Sequence, residues 1–259
     1  MKAMILAAGL GTRLKPLTDT TPKALLPLRG KPMLEHLLLK LKGAGFHDIV
    51  INIHHLGEQI IDFLNANDGF GLSVRISDER DYLLDTGGAL KHAAGLLQGD
   101  EPFLVHNVDI LSDVDLTAFY RSHREGHSLA TLLVGKRSSS RYLLFDKDSK
   151  LCGWHNRETG EVKSFYPDFA PNQYNEYAFG GVHVLSPRIF EQMEEWTGKF
   201  SIIHFYLSIC TKNNILACPV PGVTLIDAGK PESLAKAEKF LRLAGPGIQS
   251  ARSSESRGK

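Results

Sequence analysis

A short apolar run, Ala3-Met4-Ile5-Leu6-Ala7, gives way to Ala8-Gly9-Leu10-Gly11-Thr12-Arg13, and a second cation follows in Pro22-Lys23-Ala24. Glycines directly after a strand let main-chain N–H groups turn toward an anion, because no Cβ blocks the approach. Arg13 adds a forked guanidinium that suits phosphate oxygens, and Lys23 adds a compact charge. The segment matches neither familiar glycine fingerprint. Leu14 stands where GxGxxG needs its last glycine, and the Lys-Ser/Thr of a P-loop is missing. A tight strand-to-helix turn accounts for the same glycines, so spacing alone establishes only that a phosphate can be held here.

Two carboxylates form the second set, Asp109 in Asn107-Val108-Asp109 and Asp227 in Leu225-Ile226-Asp227. Magnesium prefers hard oxygen ligands and takes one or two carboxylates together with substrate phosphates and water. An Asp at a strand end is also a common helix cap or turn residue. Nothing in the spacing shows that residues more than a hundred positions apart meet. The histidines, including His54-His55, lack metal-ligand spacing.

Alternating strands and helices must position these groups. Ala3 to Ala7 is apolar throughout, as in a strand buried on both faces of a parallel sheet. Pro32 opens a helix with Leu34, Leu37, Leu38 and Leu41 on one face, and Gly45 ends it. Strands follow at 48–53, 72–77, 103–106 and 129–134, with helices at 57–65, 87–97 and 116–123 between them. This order predicts an α/β fold, a three-layer, Rossmann-like, mostly parallel sheet with helices on both faces. Ligands of such sheets sit beyond the carboxyl ends of the strands. Gly9 to Arg13, Asn107, Asp109 and Asp227 all fall there. The second half reads as a small antiparallel β elaboration over one end of the sheet: a hairpin at 142–145 and 150–154 and a strand at 178–185. Helices are expected at 187–195, 202–212 and 231–243. Residues 1–245 are expected to form one domain, with 1–135 as the nucleotide half and 136–245 as the sugar half. The Ser-, Gly- and Arg-rich stretch 246–259 is expected to be a disordered tail.

Composition narrows the class. The 259 residues are 42% hydrophobic and 23% charged, ordinary values for a globular chain. A formal net charge of +1 lacks the basic excess of a nucleic-acid binder but suits a small anionic ligand. The apolar start is interrupted by Gly9, Gly11 and Arg13, unlike a signal peptide, and no run approaches a membrane span. Cys152, Cys210 and Cys218 are odd in number and lack CxxC spacing, the pattern of free thiols in a reducing compartment. A cytoplasmic location without membrane or nucleic-acid partners is the expectation.

LAAGLGTRLKPLT followed by PKALLPLRGKPML resembles the signature of the sugar-1-phosphate nucleotidyltransferases, the nucleotide-sugar pyrophosphorylases. The resemblance continues through Leu84-Asp85-Thr86-Gly87-Gly88-Ala89-Leu90, Asn107-Val108-Asp109, residues 179–187 and Ile226-Asp227-Ala228-Gly229. In length the chain resembles short single-domain members, the N-acetylmuramate-1-phosphate uridylyltransferases and mannose-1-phosphate guanylyltransferases. The resemblance implies transfer of a nucleotidyl group from a nucleoside triphosphate to a hexose-1-phosphate, with release of pyrophosphate. It implies Mg²⁺ held by Asp109 and Asp227, and triphosphate contacts from Leu6, Ala8, Gly9, Gly11, Thr12 and Arg13. Arg13 and Lys23 are the implied catalytic cations, on the leaving phosphates and on the α-phosphate or sugar phosphate.

Thr86, Gly87 and Gly88 are implied at the nucleobase, although the same residues can simply begin a helix. Asn107, Gly180 and Gly181 are implied at the sugar, although a β-bulge also explains the glycine pair. The Thr-Gly-Gly form is closer to the uridylyl members, so UTP and an N-acetylated sugar phosphate are expected. Val108 replaces the family's more usual glycine before the metal-ligand Asp. The Glu-Lys-Pro segment of many members is absent, leaving His155, Arg157 or Lys163 either as substitutes or as solvent-facing hairpin residues. Alternative readings are guanylyl transfer to mannose-1-phosphate, another phosphomonoester acceptor such as phosphocholine, and a non-catalytic nucleotide-sugar-binding regulator. The expected assembly is a monomer or homodimer.

Overall fold

The computed structural model describes residues 1–167 and 169–243; the expected tail at 246–259 and the expected domain's last two positions lie outside them. β1 (Lys2–Leu6) leads into the glycine loop, then a short hairpin of β2 (Pro27–Leu28) and β3 (Lys31–Pro32), then α1 (Met33–Gly43). The alternation continues through β4 (Asp48–Ile53), α2 (Gly57–Ala66), β5 (Ser73–Asp78), α3 (Asp85–His92), α4 (Ala94–Leu97) and β6 (Phe103–Asn107). After β6 come β7 (Ile110–Ser112), α5 (Leu116–Gly126) and β8 (Ala130–Gly135). β9 (Arg141–Phe145), β10 (Leu151–Asn156), β11 (Val162–Lys163) and β12 (Asn175–Leu185) form the second-half strands, followed by α6 (Ile202–Ile209), β13 (Ile215–Pro219), β14 (Leu225–Asp227) and α7 (Pro231–Leu243).

β1 lies between β4 and β6, parallel to both, and β5 pairs parallel with β4. The α/β expectation therefore holds. One placement is corrected. The strand foreseen as part of an add-on over the sheet's end is instead spliced into the sheet. β12 runs antiparallel between β6 and β8, and β13 pairs parallel with β8. Its inner half is buried on both faces, as a central strand requires. Its outer end, Asn175 to Tyr177, carries the antiparallel β9–β10–β11 meander. One strand thus joins the parallel core of the sheet to its antiparallel extension.

Two further expectations change. The helix foreseen at 187–195 is a pair of single 3₁₀ turns, Pro187–Ile189 and Glu191–Met193. The Lys91 ammonium takes up the carbonyls of Met193, Glu194 and Trp196, and Phe190 stacks on Phe103. The helix foreseen at 87–97 breaks at Ala93 into α3 and α4.

Apolar side chains fill both faces of the sheet. One cluster joins Met4, Phe103, Val105, Phe145, Phe205 and Tyr206; the other joins Ile5, Leu34, Leu38, Ile51, Leu104 and Val184. A third, smaller cluster packs Leu14, Leu26, Leu28 and Met33 against Ala228 and Ala237 of the C-terminal segment. That third cluster ties Leu14 and the β2–β3 hairpin to the C-terminal segment.

Candidate active site

The glycine loop leaves β1 with its apolar residues turned inward. Leu14 is 1% exposed and Ala24 is fully buried, so the apolar side chains beside Arg13 and Lys23 anchor the segment. Each cation sits in a 3₁₀ turn, Thr12–Leu14 or Lys23–Leu25. Gly11 adopts φ +65°, its carbonyl accepts from the Thr18 hydroxyl at 2.9 Å, and a Cβ there would come 2.7 Å from Thr18 Cγ2. Glycine is required at that position by both backbone and space. Gly9 and Thr12 are exposed, whereas Ala8 is buried.

The two carboxylates meet through a device that the strand pattern did not reveal. β7 leaves Asp109 and pairs antiparallel with β14 in a separate two-stranded ribbon, which sets Asp227 opposite Ile110. The Ala228 N–H donates to the Asp109 carbonyl at 2.8 Å. Lys40, reaching from α1, donates to the Ser112 carbonyl and hydroxyl and so holds the ribbon's far end. Lys23 Nζ lies 2.8 Å from Asp109 Oδ2, and Arg13 lies 3.7 Å from Asp227 Oδ2. The Lys23–Asp109 pair is largely shielded, with side chains 14% and 8% exposed, while the Arg13 side chain is 54% exposed. The inner pair is poised within the floor and the outer cation faces the opening.

Gly229 stands at the centre of this group. A Cβ on it would collide with Asp109 Oδ2 and lie 3.0 Å from Asp227 Oδ1 and 3.3 Å from Arg13. Both carboxylates therefore flank Gly229, whose N–H donates to Asp227 Oδ1 at 2.9 Å, and no larger residue fits between them. Gly229→Ala is expected to cut turnover by on the order of a hundredfold, the cost of displacing one charge-stabilising group, with the fold retained. Steady-state kinetics beside circular dichroism would check this; unchanged turnover would remove the Gly229 cradle from the chemistry.

Asn107 and the glycine pair are also brought together. β12 shifts register between Phe179 and His183, Gly181 takes φ +69°, and its missing Cβ would approach Asn107 Nδ2 at 3.0 Å. The pair is therefore a bulge beside Asn107. Arg137, just past β8, donates to the Phe179 carbonyl at 3.0 Å and braces the bulge.

Thr86, Gly87 and Gly88 lie in the first turn of α3. The N–H groups of Gly87 and Gly88 donate to Phe200 O at 2.9 and 3.2 Å, and Thr86 Oγ1 accepts from the Ile202 N–H. A Cβ on Gly87 would strike the Phe200 ring. These glycines thus have a packing duty of their own: they let α3 lie against the entry to α6. The buried Asn52 and Glu79, which hold this segment to the phosphate loop, belong to none of the sequence motifs. A polar residue inside an otherwise apolar strand, as at Asn52, was the available signal.

In the antiparallel extension, His155 and Arg157 of the β10 region both donate to Glu176. They line a cavity of about 600 Å³ with Lys136, Tyr174 and Tyr177. Lys163 instead pairs with Glu161 and lies over Trp154. Phe179 packs on His183 and Tyr174 on Phe169. All three cysteines are free. Among the described residues no helix is long and apolar enough to cross a membrane, and no cluster of three or more metal-binding side chains occurs.

Residues 2–243 match the family model described as Nucleotidyl transferase. The chain is 40% identical over 198 residues to the N-acetylmuramate alpha-1-phosphate uridylyltransferase of Neisseria meningitidis serogroup B, covering 75% of this chain and 79% of that protein. It is 30% identical over 200 residues to a mannose-1-phosphate guanyltransferase of Yarrowia lipolytica, covering 75% of this chain but 52% of the relative. Among solved structures, HddC of Yersinia pseudotuberculosis complexed with GMP-PN superposes with a TM-score of 0.73 at 26% identity, covering 92% of this chain and 98% of that one. A Bacillus anthracis protein solved with sucrose and proposed to be a glucose-1-phosphate thymidylyltransferase shares the fold, with a TM-score of 0.78 at 22% identity and coverage of 93% and 95%. The chain, whose glycine loop, Arg13, Lys23 and two carboxylates come together as described, belongs to the nucleotidyl transferase family.

Proposed function

We propose that this protein transfers a uridylyl group from UTP to an N-acetylated hexose-1-phosphate of the N-acetylmuramate type, in the cytoplasm. The observation that carries the transfer chemistry is the convergence of Lys23–Asp109 and Arg13–Asp227 around Gly229. The choice of base and acceptor leans on the 40% identity to the Neisseria enzyme. The N-terminal half, 1–135, holds the nucleotide, and the half beginning at 136 holds the sugar phosphate.

Asp109 and Asp227 suit Mg²⁺. They are hard oxygen donors brought to either side of Gly229, and two carboxylates leave the remaining positions to phosphates and water. When bound, the ion neutralises charge on the triphosphate. The chain's own residues do the rest. Loop amides from Gly9 to Thr12, with the backbone of Leu6 and Ala8 at its base, cradle the phosphates, and Arg13 steadies the departing β- and γ-phosphates. Lys23 neutralises the α-phosphate. An oxygen of the sugar phosphate attacks the α-phosphorus in line, forming one P–O bond as the α–β bridge breaks and pyrophosphate leaves. Little covalent work falls to the protein, so positioning and charge neutralisation supply the rate. Asn107, Gly180 and Gly181 line the acceptor side, and Thr86 to Gly88 the side of the base.

The direct test supplies Mg²⁺, each common nucleoside triphosphate and a panel of sugar-1-phosphates, and measures pyrophosphate. The expected result is release with UTP and an N-acetylated sugar-1-phosphate, abolished by a chelator and restored by Mg²⁺. Folded protein that releases none with any pair would refute nucleotidyl transfer. Turnover confined to GTP and mannose-1-phosphate would favour the reading suggested by the Yarrowia relative.

A further inference from the structure

A buried hydrogen-bond chain joins the two loops assigned to the nucleotide. Asn52, near the end of β4, accepts through Oδ1 from the Ala7 N–H at 2.7 Å and the Ala8 N–H at 3.4 Å. Its Nδ2 donates to Glu79 Oε1 at 2.8 Å. The other oxygen, Glu79 Oε2, accepts from the Leu84 N–H at 3.3 Å. Leu84 directly precedes α3, whose first residues are Asp85 to Gly88. The chain therefore starts under the phosphate loop and ends at the segment facing the base.

Asn52 and Glu79 are each 3% exposed. Burying a carboxylate is costly unless its oxygens are fully used. Burial pushes the Glu79 carboxyl above its ordinary value, against the lowering effect of its Asn52 and Leu84 donors. Among the charged or titratable neighbours are His54, whose Nδ1 lies 2.6 Å from the Glu79 carbonyl, and His92. A carboxylate can accept at both oxygens at once, from Asn52 on one side and the Leu84 amide on the other. A glutamine has only one accepting oxygen. The position thus asks for an acid because of the two donors it joins.

We propose that Glu79 is a positioning residue for the nucleotide: through Asn52 and the Leu84 amide it holds the phosphate loop and the Thr86–Gly88 segment at one spacing. The proposal rests on the nucleotidyl-transfer reading above. Its consequence is specific to the triphosphate, whose phosphates and base must span both loops, and leaves the sugar phosphate unaffected.

Three variants of the full chain test it. Glu79→Gln sets an amide against one of the two donors, and Asn52→Asp sets a carboxylate against Glu79. In the double variant the polarity is reversed and every bond can reform. The new carboxylate at position 52 would accept from Ala7 and from the amide at position 79, while the amide's oxygen would accept from Leu84. Each single variant is expected to raise KM for the triphosphate about tenfold, the loss of roughly one buried hydrogen bond, with KM for the sugar phosphate unmoved. The double variant should return toward the wild-type value. Single variants with unchanged triphosphate KM, or a folded double variant no better than the singles, would overturn the proposal. Should a single variant fail to fold, recovery in the double variant decides, through both Tm and KM. Wild-type protein that releases no pyrophosphate with any triphosphate overturns the transfer reading as well. Wild-type turnover with unmoved variants overturns this proposal alone.

Discussion

Replacing Asp109 by Asn is expected to lower turnover by on the order of a thousandfold while leaving the fold intact, the size of effect seen when a charge-stabilising group is lost from a transfer site. Asp109 has the most shielded side chain of the four charged residues, 8% exposed, and its Oδ2 meets Lys23 and lies against Gly229. Asparagine keeps the shape and removes the charge. The loss should therefore fall on kcat and on Mg²⁺ dependence rather than on assembly of the β7–β14 ribbon, which the Asp109 carbonyl and not its side chain secures through Ala228. Pyrophosphate release across a Mg²⁺ titration, beside circular dichroism, is the measurement. Near-normal kcat would take Asp109 out of the site. Asp227→Asn should show a similar dependence, with added loss of the Arg13 contact.

The second large effect is on stability in mild acid. Three histidines are buried as neutral rings: His106, His123 and His183. Burial pushes His106 and His183 down to about 3, with Lys40 adding to the first and His106 to the second. Burial alone pushes His123 down to about 4. His183 Nδ1 lies 2.6 Å from the Tyr206 hydroxyl, and His123 Nδ1 lies 2.9 Å from the Thr131 hydroxyl, contacts that suit neutral rings. In the unfolded chain all three protonate near 6.5. Below that pH the unfolded state binds more protons than the folded one, so stability falls as pH falls. The loss is steepest between about 6 and 4, where three protons correspond to about 4 kcal/mol per pH unit, and it ends once the folded rings also protonate. A domain at the low end of ordinary stability, about 5 kcal/mol, should then unfold at about pH 5. Denaturant midpoints at pH 7, 6 and 5 would measure the slope. His183→Asn should flatten it by removing one of the three protons. A flat wild-type profile would mean that these rings are not buried neutral.

Much of the site was legible in the sequence because its motifs are local. Gly9 to Arg13 and Lys23 lie on one short segment, and small and apolar neighbours dictate which side chains project. The alternation of strands and helices through β8 was equally plain, since apolar runs and amphipathic periods are properties of neighbouring residues. The two 3₁₀ turns after β12 were not. The carbonyls at the end of the second turn and just after it are claimed by Lys91, which stands about a hundred residues upstream.

Strand order escaped the sequence for the same reason. Val182, Val184 and Leu185 read as a strand in any setting, and nothing local says that β12 lies between β6 and β8 rather than over the sheet's end. The sequence by itself determined the class of fold and the glycine loop that carries Arg13, with Lys23 close behind it. Only the tertiary structure decided that Asp227 meets Asp109, because a separate ribbon rather than the main sheet joins them. It also decided that Gly229 must lack a side chain and that Glu79 ties the two loops together. Those relations depend on which distant segments share a boundary, and a chain's local periodicity carries no record of that.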